Sequence, residues 1–157
     1  RFAVQYKHAV DYMHAQQEHT VQALSLNNHS LEWYTIDDVV MGGHSRSALE
    51  VTPSGSLRFY GNISTRDGGF SSLSSREQPL GLSPSTTGFN ITISGNGELF
   101  TFSVKTSSSV WDPVWQHDLP PSSLRPGVRH SFVLPLASFR ASRMGRQVDG
   151  IAPPSTD

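Results

Sequence analysis

The chain has no cysteine. That excludes disulfides, thiol catalysis and cysteine-based zinc sites, and it fits a reducing compartment. Charge is scarce too. Charged residues make up 16% of the chain and the net charge is −1, so no broad field draws it to nucleic acid or to an anionic membrane. Arg140, Arg143 and Arg146 are the candidate basic cluster. The apolar runs are far too short to span a membrane. There is no Gly-x-Ser-x-Gly elbow, no His-Glu-x-x-His pair, no Gly-x-Gly-x-x-Gly and no Gly-Lys-Ser/Thr phosphate loop. No catalytic constellation is expected, and no cofactor. The chain opens on Arg1 rather than Met, so further residues are expected upstream.

What remains is 157 residues, the length of one domain, with apolar content of 36% and abundant Ser, Thr, Gly and Pro. Residues 1–20 read as a helical extension, because Phe2, Tyr6, Ala9, Val10 and Met13 recur at helical spacing. From about residue 21 the period becomes two. Strands are expected over 21–26, 31–36, 45–51, 57–63, 88–94, 99–105 and 130–136. Pro53-Ser54-Gly55-Ser56, Gly95-Asn96-Gly97 and Arg125-Pro126-Gly127 mark turns between them. Many short strands without alternating helices predict an antiparallel β-sandwich or barrel over 21–146. Phe59, Phe70, Phe89, Ile91, Ile93, Phe100, Phe102, Phe132 and Leu134 are its expected core, with Arg58, Asn90, Thr92 and Thr101 facing out. Residues 106–124 read as a long loop and 147–157 as a tail.

The candidate functional residues lie in two Gly-Gly segments. One is Asp37-Asp38-Val39-Val40-Met41-Gly42-Gly43, followed by Ser45 and Ser47; the other is Arg66-Asp67-Gly68-Gly69-Phe70. Paired glycines are expected where the backbone needs positive φ or has no room for a Cβ, so the two loops are expected to meet. Adjacent aspartates either converge on a cation or fix a turn. Turn-fixing is favoured, since no run of spaced oxygen ligands follows. The seven histidines show no metal-ligand spacing. Trp111, Trp115 and Tyr60 are aromatics with a second reading, as platforms for a sugar ring or a partner.

Together these segments resemble the complex I intermediate-associated protein family. Asp37–Ser45 is similar to its Asp-Asp-Val-Met-Gly-Gly-x-Ser signature, with one extra Val, and Trp33 lies just upstream. Phe59-Tyr60-Gly61 resembles its Phe-x-Gly strand, and Asp67–Leu73 its Asn-Gly-Gly-Phe-Ala-Ser-Val element. Gly95–Phe100 resembles a Gly-Asp-Gly-x-x-Tyr hairpin, Leu134–Phe139 an Ile-Pro-Phe-x-x-Phe strand end, and Arg143–Arg146 the Arg-Gly-Arg that follows. Ser74 stands where the family has Arg, and His130 where it has an aromatic.

The resemblance implies a jelly-roll sandwich like that of galactose-binding domains, without enzymatic activity. It implies a scaffold, assembly factor or accessory subunit for mitochondrial respiratory NADH dehydrogenase, on the matrix side, whose partners are protein subunits. Asp37, Asp38, Met41, Gly42, Gly43, Ser45, Gly68, Gly69 and Phe70 would then be signature or partner-binding loops. The family sheets continue past the Arg-Gly-Arg element. The expectation is therefore an open C-terminal sheet edge covered by another chain. The alternative is a carbohydrate-binding module using Trp111 and Trp115.

Overall fold

The computed structural model describes residues 2–7, 21–23, 31–64, 69–78, 82 and 85–154. Its twelve strands, all antiparallel where they pair, are β1 (Phe2–Lys7), β2 (Val21–Ala23), β3 (Trp33–Asp37), β4 (Arg46–Val51), β5 (Leu57–Asn62), β6 (Phe70–Ser75), β7 (Gly88–Ile93), β8 (Phe100–Lys105), β9 (Val114–Leu119), β10 (His130–Pro135), β11 (Arg140–Arg143) and β12 (Arg146–Gln147). The only helical pieces among the described residues are 3-10 turns at Asp38–Met41, Pro121–Ser123 and Leu136–Ser138.

The strands form one seven-stranded sheet, ordered β12-β11-β9-β8-β1-β6-β3, and two small sheets, β2-β5-β4 and β10-β7. Strand β2 lies beside β7. The core is shared between the large sheet and the small ones. Phe100, Phe102, Val104, Trp115, Leu119, Leu73 and Ala141 come from the former, Leu57, Phe59, Ile91, Ile93 and Leu134 from the latter. Strand alternation produces this directly: on β8, Phe100, Phe102 and Val104 share the inner face. Phe139 packs edge to face on Phe89 and Phe102, which are themselves tilted against each other, at centroid separations of 5.6–6.1 Å, which adds aromatic contact energy to area burial. Of the expected core, six residues are buried and Phe89 and Phe132 are half-buried against them, but Phe70 is not part of it: it alternates with inward-facing Leu73 and lies on the outer face beside Ser72.

Four further readings change. The first turn of the expected N-terminal helix is β1, which fills the centre of the large sheet between β6 and β8; residues 8–20 lie outside the described residues. Phe2, Val4 and Tyr6 also alternate at period two, and a strand here pairs backbone groups of β6 and β8 that a helix, bonded within itself, would leave open. The expected loop at 106–124 contains β9, paired to both β8 and β11. The tail at 147–157 starts in β12, and the next residue, Val148, is tied down: its N–H donates to the Ala141 carbonyl at 2.9 Å and its side chain packs on the core. Thr101 is buried, because β8 is an interior strand; its hydroxyl donates to Asp118 Oδ1 across β9 at 2.7 Å.

Candidate functional site

The Asp-Asp-x-x-x-Gly-Gly segment begins where β3 ends. Asp37 is the last strand residue and Asp38 opens the 3-10 turn Asp38–Met41. Gly42 closes that turn in the left-handed region, with φ 89°, and its N–H donates to the Val39 carbonyl at 3.0 Å. This is a conformation that a residue without Cβ adopts without strain. Gly43 serves a different need. A Cβ built there would fall inside the Asp38 carboxylate, so the missing side chain is the space that Asp38 occupies.

Each aspartate then holds a serine. The Ser45 N–H and hydroxyl donate to the two Asp38 carboxylate oxygens, both at 2.8 Å. The Ser47 N–H and hydroxyl donate to Asp37 at 2.9 and 2.6 Å. The spacing explains the pairing. Asp37 and Asp38 point to different sides of the chain, and Ser45 and Ser47 meet them as the backbone returns into β4. A second loop joins in. Phe70 N–H reaches Asp38 at 3.4 Å, the Ser71 hydroxyl donates to Asp37 at 2.6 Å, and Ser64 N–H donates to the Ser45 hydroxyl at 3.1 Å. Gly69, with φ 134°, turns the chain into β6.

The network therefore bolts β3 and β6 of the large sheet to β4 and the end of β5 in the facing sheet. Asp38 is 1% exposed. Burial pushes its carboxyl up, but the Ser45 hydroxyl and the N–H groups of Ser45, Phe70 and Gly69 outweigh it and hold the carboxyl below the ordinary carboxylate range. A carboxylate so engaged is an inter-sheet fastener, with little capacity left to bind a cation or move a proton. Among the described residues, no group of three His, Asp or Glu side chains is placed to hold a metal ion.

The fastener has an outer surface. Val39, Val40 and Met41 project from the turn at 41%, 76% and 72% exposure. Asp37, Asp38, Gly42, Gly43, Ser45, Gly69 and Phe70 are thus brought together, with Met41 at the tip, as the paired glycines lead one to expect. Gly68 lies outside the described residues.

The aromatic platform does not assemble. Trp115 is buried in the core on β9, while Trp111 is exposed. Tyr60 belongs to the opposite sheet, where the Arg58 guanidinium covers its ring at 4.9 Å. The sugar-binding reading thereby loses the pair it rested on. The basic cluster divides as well: Arg143 pairs with Arg146 across β11 and β12, and Arg140, three residues away on a strand, points to the other face.

Sequence reasoning missed a cavity of about 290 Å³ on the outer face of the large sheet, beginning at Ile36 and Phe70 beside the fastener. Its serines come from β6, β8 and β11, which are distant in sequence and adjacent only through the sheet order. A smaller cavity of about 140 Å³ continues from it, sharing Gln116 and Ser142.

The sequence profile of the complex I intermediate-associated protein 30 family matches residues 14–155. Neither the curated proteins nor the solved structures provide a match to this chain.

Proposed function

The chain belongs to the complex I intermediate-associated protein 30 family, and we propose that it is a non-catalytic protein-binding scaffold acting on mitochondrial complex I as an assembly factor or accessory subunit. The observation that carries this reading is the family match over residues 14–155, nearly the whole chain. The signature chemistry supports the non-catalytic part. Both aspartates of the acidic pair are engaged by serine hydroxyls and backbone N–H groups.

Two features of the fold suit a scaffold. The signature turn is held rigidly from beneath and carries exposed Val40 and Met41, so docking there costs little ordering entropy. The large sheet ends on the two-residue strand β12, whose outer backbone groups offer an edge for a partner strand. The location proposed with this role is the matrix side of the inner mitochondrial membrane. Among the described residues no helix is long and apolar enough to cross a membrane.

The test is affinity purification of the tagged full chain from mitochondria, with the co-purifying subunits identified by mass spectrometry and their assembly state read on native gels. Recovery of NADH dehydrogenase subunits is the expected result. Restriction of the protein to partial complexes would make it an assembly factor, and its presence in the mature complex a subunit. Import into mitochondria with no such subunit recovered would overturn the proposal.

A further inference from the structure

The hairpin between β11 and β12 runs against the needs of its own fold. Met144 and Gly145 are its two central residues, with φ of 47° and 76°. A turn with both positions in the left-handed region favours Asn-Gly. Among the described residues Met144 is the one residue other than glycine with positive φ, and its side chain is 86% exposed. Arg143 and Arg146 flank the turn directly opposite each other, a like-charge pair that weakens strand pairing. Neither guanidinium has a hydrogen-bond or ionic partner among the described residues. A strained apolar residue held in water between two uncompensated cations has its explanation outside the chain.

A second tip stands beside the first. Val114 faces Lys105 on β8 and Ser142 on β11, so the β8–β9 loop and the β11–β12 turn emerge at the same end of the large sheet. In that loop the Asp112 N–H donates to the Ser109 carbonyl at 3.4 Å, and the Trp111 N–H donates to the Ser109 hydroxyl at 3.2 Å. Val110 and Trp111 are the central residues of this turn, each 73% exposed. Three large apolar side chains thus project from one end of the sheet. Beside them are two arginines against one aspartate, Asp112; Lys105 at the base already faces Glu77 at 3.9 Å.

We propose that these two tips dock the protein on an anionic lipid bilayer, with Val110, Trp111 and Met144 entering the headgroup layer and Arg143 and Arg146 meeting lipid phosphates. Charge and shape select this occupant. Phosphates on both sides of the turn relieve the repulsion between the arginines, and guanidinium bonds phosphate in bidentate fashion. Trp settles at the boundary of headgroups and acyl chains, and long cationic side chains reach from an apolar contact into the polar layer. A bilayer yields around a projection, whereas a protein partner needs a pocket matched to each tip. The net charge of −1 supplies no broad attraction, so the contact is local. The signature turn lies at the other end of the sheet. Asp37 is level, through Ser71 and Tyr6, with Phe100 at the start of β8, while the tips follow Lys105 at its end. Docking by the tips leaves that turn clear for a protein.

The purified full chain is sedimented with vesicles of phosphatidylcholine, alone or mixed with phosphatidylglycerol. Retention is expected on the mixed vesicles, weakening as salt rises, with little on the neutral ones. Brominated lipid should quench tryptophan emission of the parent, and Trp111→Phe should remove that quenching. Arg143→Ser combined with Arg146→Ser should weaken binding about tenfold or more. Met144→Asn is expected to weaken binding and to raise the melting temperature, because Asn tolerates the left-handed turn. Misfolding cannot produce that pair of changes. The inference is overturned if mixed vesicles do not retain the parent, if brominated lipid leaves its emission unchanged, or if the double arginine variant binds like the parent. Displacement by inorganic phosphate at matched ionic strength would reduce the tips to a simple anion site and equally overturn it. Only vesicles and the purified chain are used, so the outcome is independent of which subunits co-purify from mitochondria.

Discussion

Asp38 and Ser45 hold each other twice, the Ser45 N–H and hydroxyl each donating to a separate oxygen of the Asp38 carboxylate at 2.8 Å. They lie seven positions apart in the chain, and the loop between them is the signature turn. Hydrogen bonds to a charged group are the stronger kind, so Ser45→Ala is expected to cost about 1.5–3 kcal/mol. Asp38→Ala should cost more, since it strands the N–H groups of Ser45 and Phe70 together. Urea unfolding of both variants measures the difference. A Ser45→Ala protein as stable as the parent would show that the clasp does not bear on the fold.

The two glycines of the turn should separate cleanly. Gly42 has positive φ with open space where a Cβ would stand, whereas Gly43 has ordinary φ and no space. Gly42→Ala is expected to cost about 1–2 kcal/mol, the strain of a left-handed residue. Gly43→Ala must displace the Asp38 carboxylate, and it should cost at least about 3 kcal/mol or prevent folding. Gly42→Asn should be milder than Gly42→Ala, since Asn tolerates the left-handed region. Equal melting temperatures for Gly42→Ala and Gly43→Ala would refute this division of roles.

Acid should loosen the clasp. The folded-state pKa of Asp38 is lowered from 3.8, so its ionised form is favoured by folding. The resulting stability is present above the unfolded value near 3.9 and is lost as pH falls through the lowered folded value. The parent should therefore lose stability below about pH 4 more steeply than Asp38→Asn, which is weaker at neutral pH but lacks this titration. Denaturant midpoints from pH 6 down to pH 2.5 give both slopes. Parallel slopes would mean that Asp38 does not contribute to acid unfolding.

The strands that alternate were legible: β4, β5, β7, β8 and β10 lie within a residue or two of where the period of two puts them. Strand β6 was not, because Phe70-Ser71-Ser72-Leu73-Ser74-Ser75 has no alternation to read; Ser71 and Ser75 serve the inner side while Ser72 and Ser74 line the outer cavity. Strand β1 was mistaken for helix because Phe2 and Tyr6 satisfy both periods, and only the vacancy between β6 and β8 decides between them. In the site, the glycine pairs and the aspartates were visible as local chemistry. The serine-lined cavity was invisible because adjacency in this sheet follows β11-β9-β8-β1-β6, an order no local pattern encodes.

Trp111 and Trp115 should respond in opposite ways. Trp115 is 5% exposed within the core, whereas Trp111 is 73% exposed. Trp115→Ala is expected to cost about 3–5 kcal/mol. Trp111→Ala should stay within about 0.5 kcal/mol of the parent, as surface changes usually do. Quenching by acrylamide supplies an independent check, since a Trp111→Phe protein should lose the accessible part of the emission. A destabilised Trp111→Ala variant would place that side chain in the fold.

The last prediction concerns Val40 and Met41. Both side chains are more than two-thirds exposed, while the backbone that carries them is anchored through Asp38 to Ser45 and Phe70. Exposed aliphatic residues contribute little to folding, so Val40→Ser combined with Met41→Ser should leave stability within about 0.5 kcal/mol of the parent. If the turn is a docking tip, the same pair of changes removes apolar contact from the partner interface, where a few central residues carry most of the binding energy. The double variant should then recover NADH dehydrogenase subunits poorly while melting like the parent. Asp38→Asn should act the other way round, lowering stability first and losing partners only as the turn loosens. A Val40→Ser, Met41→Ser protein that recovers partners as well as the parent would confine the signature to a structural role and leave the β12 edge as the surface to test.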